Sequence, residues 1–259
     1  MEPGGNQRGN SCVPSGTEGS DTSPPAWERH SERPQPRCFE GQRGEFIAFL
    51  DDDDRWRENK LELQIEAFKR LPPGYGLVYT AFTYYSLERG KVLGIKHPKA
   101  SGGDVYGHLL KDNITGTSTI MVRRKCFKRA GLFREDFVTC EDWDMWLRMA
   151  KVCRFGAIDE PLVDYSIHPG QFSFAKYLAG RYRMIETHGD IRHNPPKILS
   201  YHLLQIGILK LFSGDKSGAR EVLEAFRLNP MMKGNIRDIL SSILDVRTRI
   251  YILKFLGRL

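Results

Sequence analysis

Phe46-Ile47-Ala48-Phe49-Leu50-Asp51-Asp52-Asp53-Asp54-Arg55-Trp56 is the stretch whose reading decides the fold. Its first five residues are apolar and suited to a β-strand, of a length that fits a sheet covered on both faces. Such a strand is expected to be interior. It stops abruptly at four consecutive aspartates, and in open α/β sheets the carboxyl end of a strand is where ligands bind. Clustered carboxylates repel one another, so a fold that gathers them in a crevice commonly does so for a divalent cation, although an acidic run can equally be a solvated loop. The next segment favours a built site. Glu58 to Arg70 sets Leu61, Ile65 and Phe68 at helical spacing, with Leu63 and Ala67 alongside, so a strand, an acidic turn and a helix follow one another.

Downstream, Leu77 to Tyr85 and Val92 to Ile95 read as strands joined by a turn at Glu88-Arg89-Gly90-Lys91. Asp104 to Leu110 reads as a short helix, Ile120 to Arg123 as a strand and Lys125 to Ala130 as a helix stopped by Gly131. Asn113 to Thr119 is a polar Thr and Ser cluster between them. A second acidic station follows in Glu141-Asp142-Trp143-Asp144-Met145-Trp146-Leu147-Arg148, where Trp143, Trp146, Leu147 and Ala150 recur at helical spacing. Acids in a first helical turn favour the macrodipole with no chemistry implied, so this station alone assigns no function. Phe155 to Ile158 and Leu162 to Ile167 read as two further strands before His168-Pro169-Gly170.

Beyond residue 173 the pattern turns helical. Lys197 to Phe212 and Lys216 to Leu228 form a hairpin around Ser213-Gly214-Asp215, and the second helix resembles a tetratricopeptide-type unit with no second copy. Ile236 to Leu259 is amphipathic and basic, suited to packing on the hairpin or lying on a membrane surface. Residues 1–43 are rich in Gly, Pro, Ser, Arg and Glu and poor in aliphatic side chains, and read as disordered. The domain plan is therefore 1–43, 44–173 and 174–259.

A chain of 259 residues with 40% hydrophobic content can bury a real core. No apolar run is long enough to span a bilayer and no signal peptide opens the chain. Five cysteines without a C-x-x-C pair or zinc spacing argue against a disulfide framework and fit a reducing cytoplasm. Residues 176–259 hold 15 Lys and Arg against 7 Asp and Glu, so the +7 net charge is concentrated there. An anionic membrane surface suits that end better than nucleic acid, because no basic patch interleaved with aromatics is present.

Taken in order, Gly44 to Trp56, Asn113 to Arg124, Glu141 to Arg148 and Tyr165 to Ser173 resemble the family 2 glycosyltransferases of the GT-A fold, whose L-D-x-D-D-x-W pattern falls on Leu50 to Trp56. The resemblance implies an α/β fold, a GT-A-like mixed sheet flanked by helices and incomplete at the N-terminus, followed by an all-α region. It implies a nucleotide-diphosphate sugar donor, a glycan or lipid-linked acceptor, and a divalent metal, Mn2+ or Mg2+. Asp51 and Asp53 would contact donor and metal, with Asp53 the better direct ligand. Asp142 would be the general base of an inverting displacement, with Glu141 positioning it or the acceptor. His168 would either approach the diphosphate or hold a turn before Pro169. Trp143 and Trp146 would pack the helix in preference to stacking on sugar. In this family about ninety residues of strand and helix usually precede the first acidic station, so the chain is expected to read as truncated and to bind and transfer weakly alone. The competing reading is a non-catalytic interaction module that uses the helical region, at the cytoplasmic face of the membrane or elsewhere in the cytoplasm.

Overall fold

The computed structural model describes residues 44–168, 173–193 and 196–231. The expected disordered segment 1–43 and basic segment Ile236 to Leu259 lie outside these residues. Seven strands form one mixed sheet: β1 (Phe46–Ala48), β2 (Arg55–Trp56), β3 (Tyr75–Ser86), β4 (Lys91–Lys96), β5 (Gly102–Gly103), β6 (Met121–Arg123) and β7 (Arg154–Ile167). The main path runs β1-β6-β3-β7-β2, with β4 paired to β3 and β5 to β7. Only β3 and β7 run parallel; every other pair is antiparallel. The α/β class and the helical C-terminal region are as expected.

Long apolar β3 is the central strand, with Leu77, Val78, Tyr79, Ala81, Phe82 and Tyr84 all buried. The strand before the aspartates differs from expectation. β1 keeps only Phe46–Ala48, is half-buried throughout and ends the sheet path. It pairs with β6, and Leu50 beyond it is 50% exposed. Phe49 instead turns into the core, meeting Phe127, Phe133 and Trp146 edge to face. The two strands expected over residues 155–167 are one, because the Asp159-Glu160-Pro161 interruption is absorbed by shifts of register opposite Thr80, Ala81 and Thr83.

The first helix, α1 (Lys60–Arg70), is present but presents another face to the sheet. Leu61 and Ile65 are exposed, while Lys60, Gln64 and Phe68 are buried. Gln64 reverses the hydrophobic expectation because its Nε2 donates to two main-chain carbonyls, Val78 O and Thr119 O, both at 2.9 Å. A satisfied amide can be buried where an unsatisfied one cannot.

The remaining helices among the described residues are α2 (Tyr106–Leu109), α3 (Arg124–Ala130), α4 (Glu141–Ala150), α5 (Phe174–Thr187), α6 (Gly189–His193), α7 (Pro196–Phe212) and α8 (Gly218–Leu228), with a 3₁₀ turn at Thr117–Thr119. Met184, Ile191 and Ile198 of α5, α6 and α7 join the same core cluster as Leu77, Val122, Trp143 and Trp146. α7 and α8 form the expected hairpin. It closes at two glycines: a Cβ on Gly218 would sit 2.3 Å from Gly207 O, and one on Gly207 would sit 2.6 Å from Gly218 O. The described cysteines, Cys126, Cys140 and Cys153, are all free thiols.

Candidate active site

The aspartates divide by burial. Asp51 and Asp52 are exposed, Asp53 is half-buried and Asp54 is buried. The turn closes on itself through Asp54 N–H to Asp51 O at 3.1 Å. Asp54 is a clamp to β7: its Oδ1 accepts Ser166 N–H at 2.8 Å, and the Ser166 hydroxyl donates to Asp53 O. Burial pushes the Asp54 carboxyl up to about 7, against the lowering pull of Ser118 and the Ser166 N–H. With Asp54 holding the loop from beneath, Asp53 faces outward and meets His168, Nε2 to Oδ2 at 3.3 Å. The structure thus brings together Asp53 and His168, which lie 115 positions apart in sequence.

Asp142 sits in the first turn of α4. Its Oδ2 accepts Asn113 Nδ2 at 2.7 Å and Thr117 Oγ1 at 3.4 Å, and its Oδ1 accepts Trp143 N–H at 2.7 Å. Glu141 is half-buried at the first position of the same helix. The residue before it, Cys140, has φ 63° and ψ 18°, the left-handed region that a non-glycine residue enters at a cost of about 1–2 kcal/mol. That turn is held from outside by α5, since a Cβ on Gly180 would lie 2.6 Å from Thr139 Cγ2 and 2.7 Å from Cys140 Sγ. Burial also pushes the Cys140 thiol up to about 12, so it stays protonated beside the carboxylates.

The two acidic stations meet at the 3₁₀ turn. Thr117 reaches Asp142, while the Ser118 hydroxyl accepts Asp51 N–H at 3.0 Å and Ser118 O accepts Trp56 Nε1 at 2.8 Å. Thr119 O is one of the carbonyls bound by Gln64. Three consecutive residues therefore touch the first acidic loop, the second acidic helix and α1.

Trp143 and Trp146 are both buried and serve packing, which removes them as sugar-stacking surfaces. Asp144 faces inward, bound to Arg148 Nε at 2.9 Å and His188 Nε2 at 2.9 Å. Burial alone would raise its carboxyl, but His188 and Arg148 hold it below the usual range. Sequence reasoning did not assign roles to Asn113, Thr117 and Ser118. Their signal was the run of small hydroxyl and amide side chains from Asn113 to Thr119.

With this geometry in place, the comparisons are direct. The sequence model of a family described as glycosyltransferase like family 2 matches residues 31–189, more than half of the chain. The chain belongs to the family 2 glycosyltransferases. Among relatives of this family, it is 30% identical over 183 residues to the UDP-Glc:alpha-D-GlcNAc-diphosphoundecaprenol beta-1,3-glucosyltransferase WfgD of Escherichia coli, covering 68% of each chain. It is 30% identical over 159 residues to TuaG of Bacillus subtilis, a glycosyltransferase named for teichuronic acid biosynthesis, covering 58% of this chain and 60% of TuaG. An uncharacterized glycosyltransferase of Rickettsia conorii is 27% identical over 141 residues, 53% of this chain and 22% of that protein. The chain therefore spans from about a fifth to two thirds of the length of these family 2 relatives.

Proposed function

We propose that the chain transfers a sugar from a nucleotide-diphosphate sugar to an acceptor hydroxyl, with inversion and with the help of a divalent cation. One observation carries this: one 3₁₀ turn holds a solvent-facing acidic loop on one side and a hydrogen-bonded carboxylate on the other. A base beside a leaving-group site suits a single displacement, in which Asp142 takes the acceptor proton as the hydroxyl oxygen attacks the anomeric carbon. Glu141, at the start of the same helix, orients the acceptor. Membership of the family supports the donor class, and WfgD's lipid-linked acceptor supports a glycan or lipid-linked acceptor and contact with a membrane surface. No helix among the described residues is long and apolar enough to cross a membrane.

The donor set fits a hard cation such as Mn2+ or Mg2+. Asp51 and Asp53 offer carboxylate oxygens that solvent reaches, with His168 beside Asp53. Among the described residues no three His, Cys, Asp or Glu side chains close a cage, so phosphate oxygens and water would complete the coordination. When bound, the cation would offset the negative charge that develops on the departing nucleoside diphosphate.

Calorimetric titration and turnover of several nucleotide sugars with manganese test the reading. Asp53→Asn is expected to lose manganese-dependent donor binding. Asp142→Asn is expected to keep that binding and lose turnover by about 100-fold or more. Turnover retained in Asp142→Asn, or equal loss of binding in both variants, would refute the base assignment. A pure interaction module would be indifferent to both substitutions.

A further inference from the structure

Behind Asp142 lies an arginine that belongs to the helical region. Arg181, on α5, is fully buried, and its guanidinium is held on several sides. Its Nε and Nη2 donate to Tyr177 Oη at 3.0 and 2.8 Å, Nη2 donates to Asp112 Oδ1 at 3.0 Å, and Nη1 lies 3.3 Å from His202 Nδ1. The guanidinium carbon stands 5.1 Å from the Trp143 ring centroid. Burial would ease its proton away, yet Tyr177 and Asp112 keep it firmly charged.

Two routes lead from Arg181 to Asp142. The polar route runs through Asp112, whose Oδ1 also accepts Asn113 N–H at 3.1 Å. Asn113 Oδ1 accepts Thr115 N–H at 3.4 Å, which turns its Nδ2 toward Asp142 Oδ2. The packing route runs through Trp143, whose ring stacks on His202 at 5.6 Å and 7°. His202 Nε2 lies 2.8 Å from Leu110 O, and Trp143 Nε1 donates to Leu109 O at 2.7 Å. A carbonyl can only accept and a guanidinium can only donate, so His202 must be neutral, protonated at Nε2 and open at Nδ1. Burial, followed by the Arg181 charge, pushes it down to about 3, in keeping with that assignment.

The segment that carries Asn113 is thus pinned at Leu109, Leu110 and Asp112 by Trp143, His202 and Arg181 in turn. We propose that Arg181 is a positioning residue for the Asp142 carboxylate, acting through Asp112 and Asn113, so that α5 and α7 form part of the transfer site. The mechanistic weight of this inference rests on Asp142 being the base; the coupling itself does not.

The test uses the full chain, labelled with nitrogen-15, and follows the Asn113 side-chain amide as pH is varied. That resonance reports ionisation of Asp142, and Asp142→Asn serves as the control that abolishes its titration. The other charged or titratable groups around this carboxylate are Glu141 and the Cys140 thiol at the start of α4, Asp112 on the preceding segment with its partner Lys99, and Arg181 itself, and only the last is changed in the first variant. Arg181→Met is expected to move the midpoint up, as the loss of a nearby positive charge does, and to shift the amide toward its solvent-exposed position. Arg181→Lys keeps charge without the fork and is expected to restore only part of the change. Asp112 is 20% exposed, so Asp112→Ala provides the amide readout if the buried variant fails to fold, and the double variant should displace the amide no further than either single one. An unmoved amide in either folded variant would overturn the proposal. With nucleotide sugar, kcat should fall about tenfold with KM unchanged. If Asp142→Asn leaves turnover intact while the amide still responds to Arg181, the base assignment fails and the coupling stands.

Discussion

Replacing Lys60 with methionine should remove a pH dependence that the native chain carries in its folding. Lys60 is fully buried, with its ammonium 2.8 Å from Gln64 Oε1 and 4.1 Å from the Trp56 ring centroid. One neutral acceptor and one ring do not replace water around a charge, and burial lowers its pKa from 10.5 to about 7. The unfolded chain holds the proton until about 10.5, so between these values it binds more protons than the folded state. Stability must therefore rise with pH across that window, with a ceiling near 1.4 kcal/mol for each pH unit. From pH 7 to 9 the ceiling is about 2.7 kcal/mol, which corresponds to a rise of about 5–10 °C in Tm for a chain of this size. Urea unfolding at pH 7, 8 and 9 measures it. The Cys126 thiol is also lowered, to about 7, chiefly by a hydrogen bond with the Cys153 thiol, but it is common to both proteins. The difference between native and Lys60→Met curves is then due to Lys60. An equal pH slope in the two would refute the burial argument.

Asp144→Asn should destabilise the fold by about 3–5 kcal/mol in urea, because Arg148 and the buried His188 are left without their shared anion. Its carboxyl is held low, so the stability it provides is present above the unfolded value of 3.8 and is lost as pH falls below it; the variant should lack that acid-side loss. Ser118→Ala should leave thermal stability within about 1 kcal/mol while weakening manganese-dependent donor binding, since Asp51 N–H loses the acceptor that fixes the acidic loop. Calorimetry with the same nucleotide sugar checks it, and unchanged affinity would show that the loop is set elsewhere.

Much of the fold could be read from local pattern. The acidic turn between strand and helix, the apolar run of β3, the helix at Glu141 and the α7–α8 hairpin all follow from periods of about 2 or 3.6 residues. The buried face of α1 could not be read that way. Gln64 is buried because two carbonyls happen to face it, and those carbonyls, of Val78 and Thr119, are distant in sequence. The same holds for β7, where Pro161 reads as a break and is accommodated only by irregular pairing with β3. At the site, Asp51, Asp53 and Asp142 stood out because carboxylates cluster visibly in a sequence. Asn113, Ser118, Arg181 and His202 did not, since each acts through a partner tens of residues away and none belongs to a local repeat.

The shared 3₁₀ turn also sets a fixed length. Thr117 serves the Asp142 side and Ser118 serves the Asp51 side, and their Cα atoms are one peptide apart, about 3.8 Å. Reacting atoms must approach within about 3–3.5 Å, so a single residue inserted here would displace one half of the reaction from the other by as much as the whole tolerance. This turn is then a ruler between the Asp142 carboxylate and the acidic loop, the groups proposed as base and leaving-group site. Variation that changes donor or acceptor has to be accommodated in the surrounding loops, because this spacing has no slack to give.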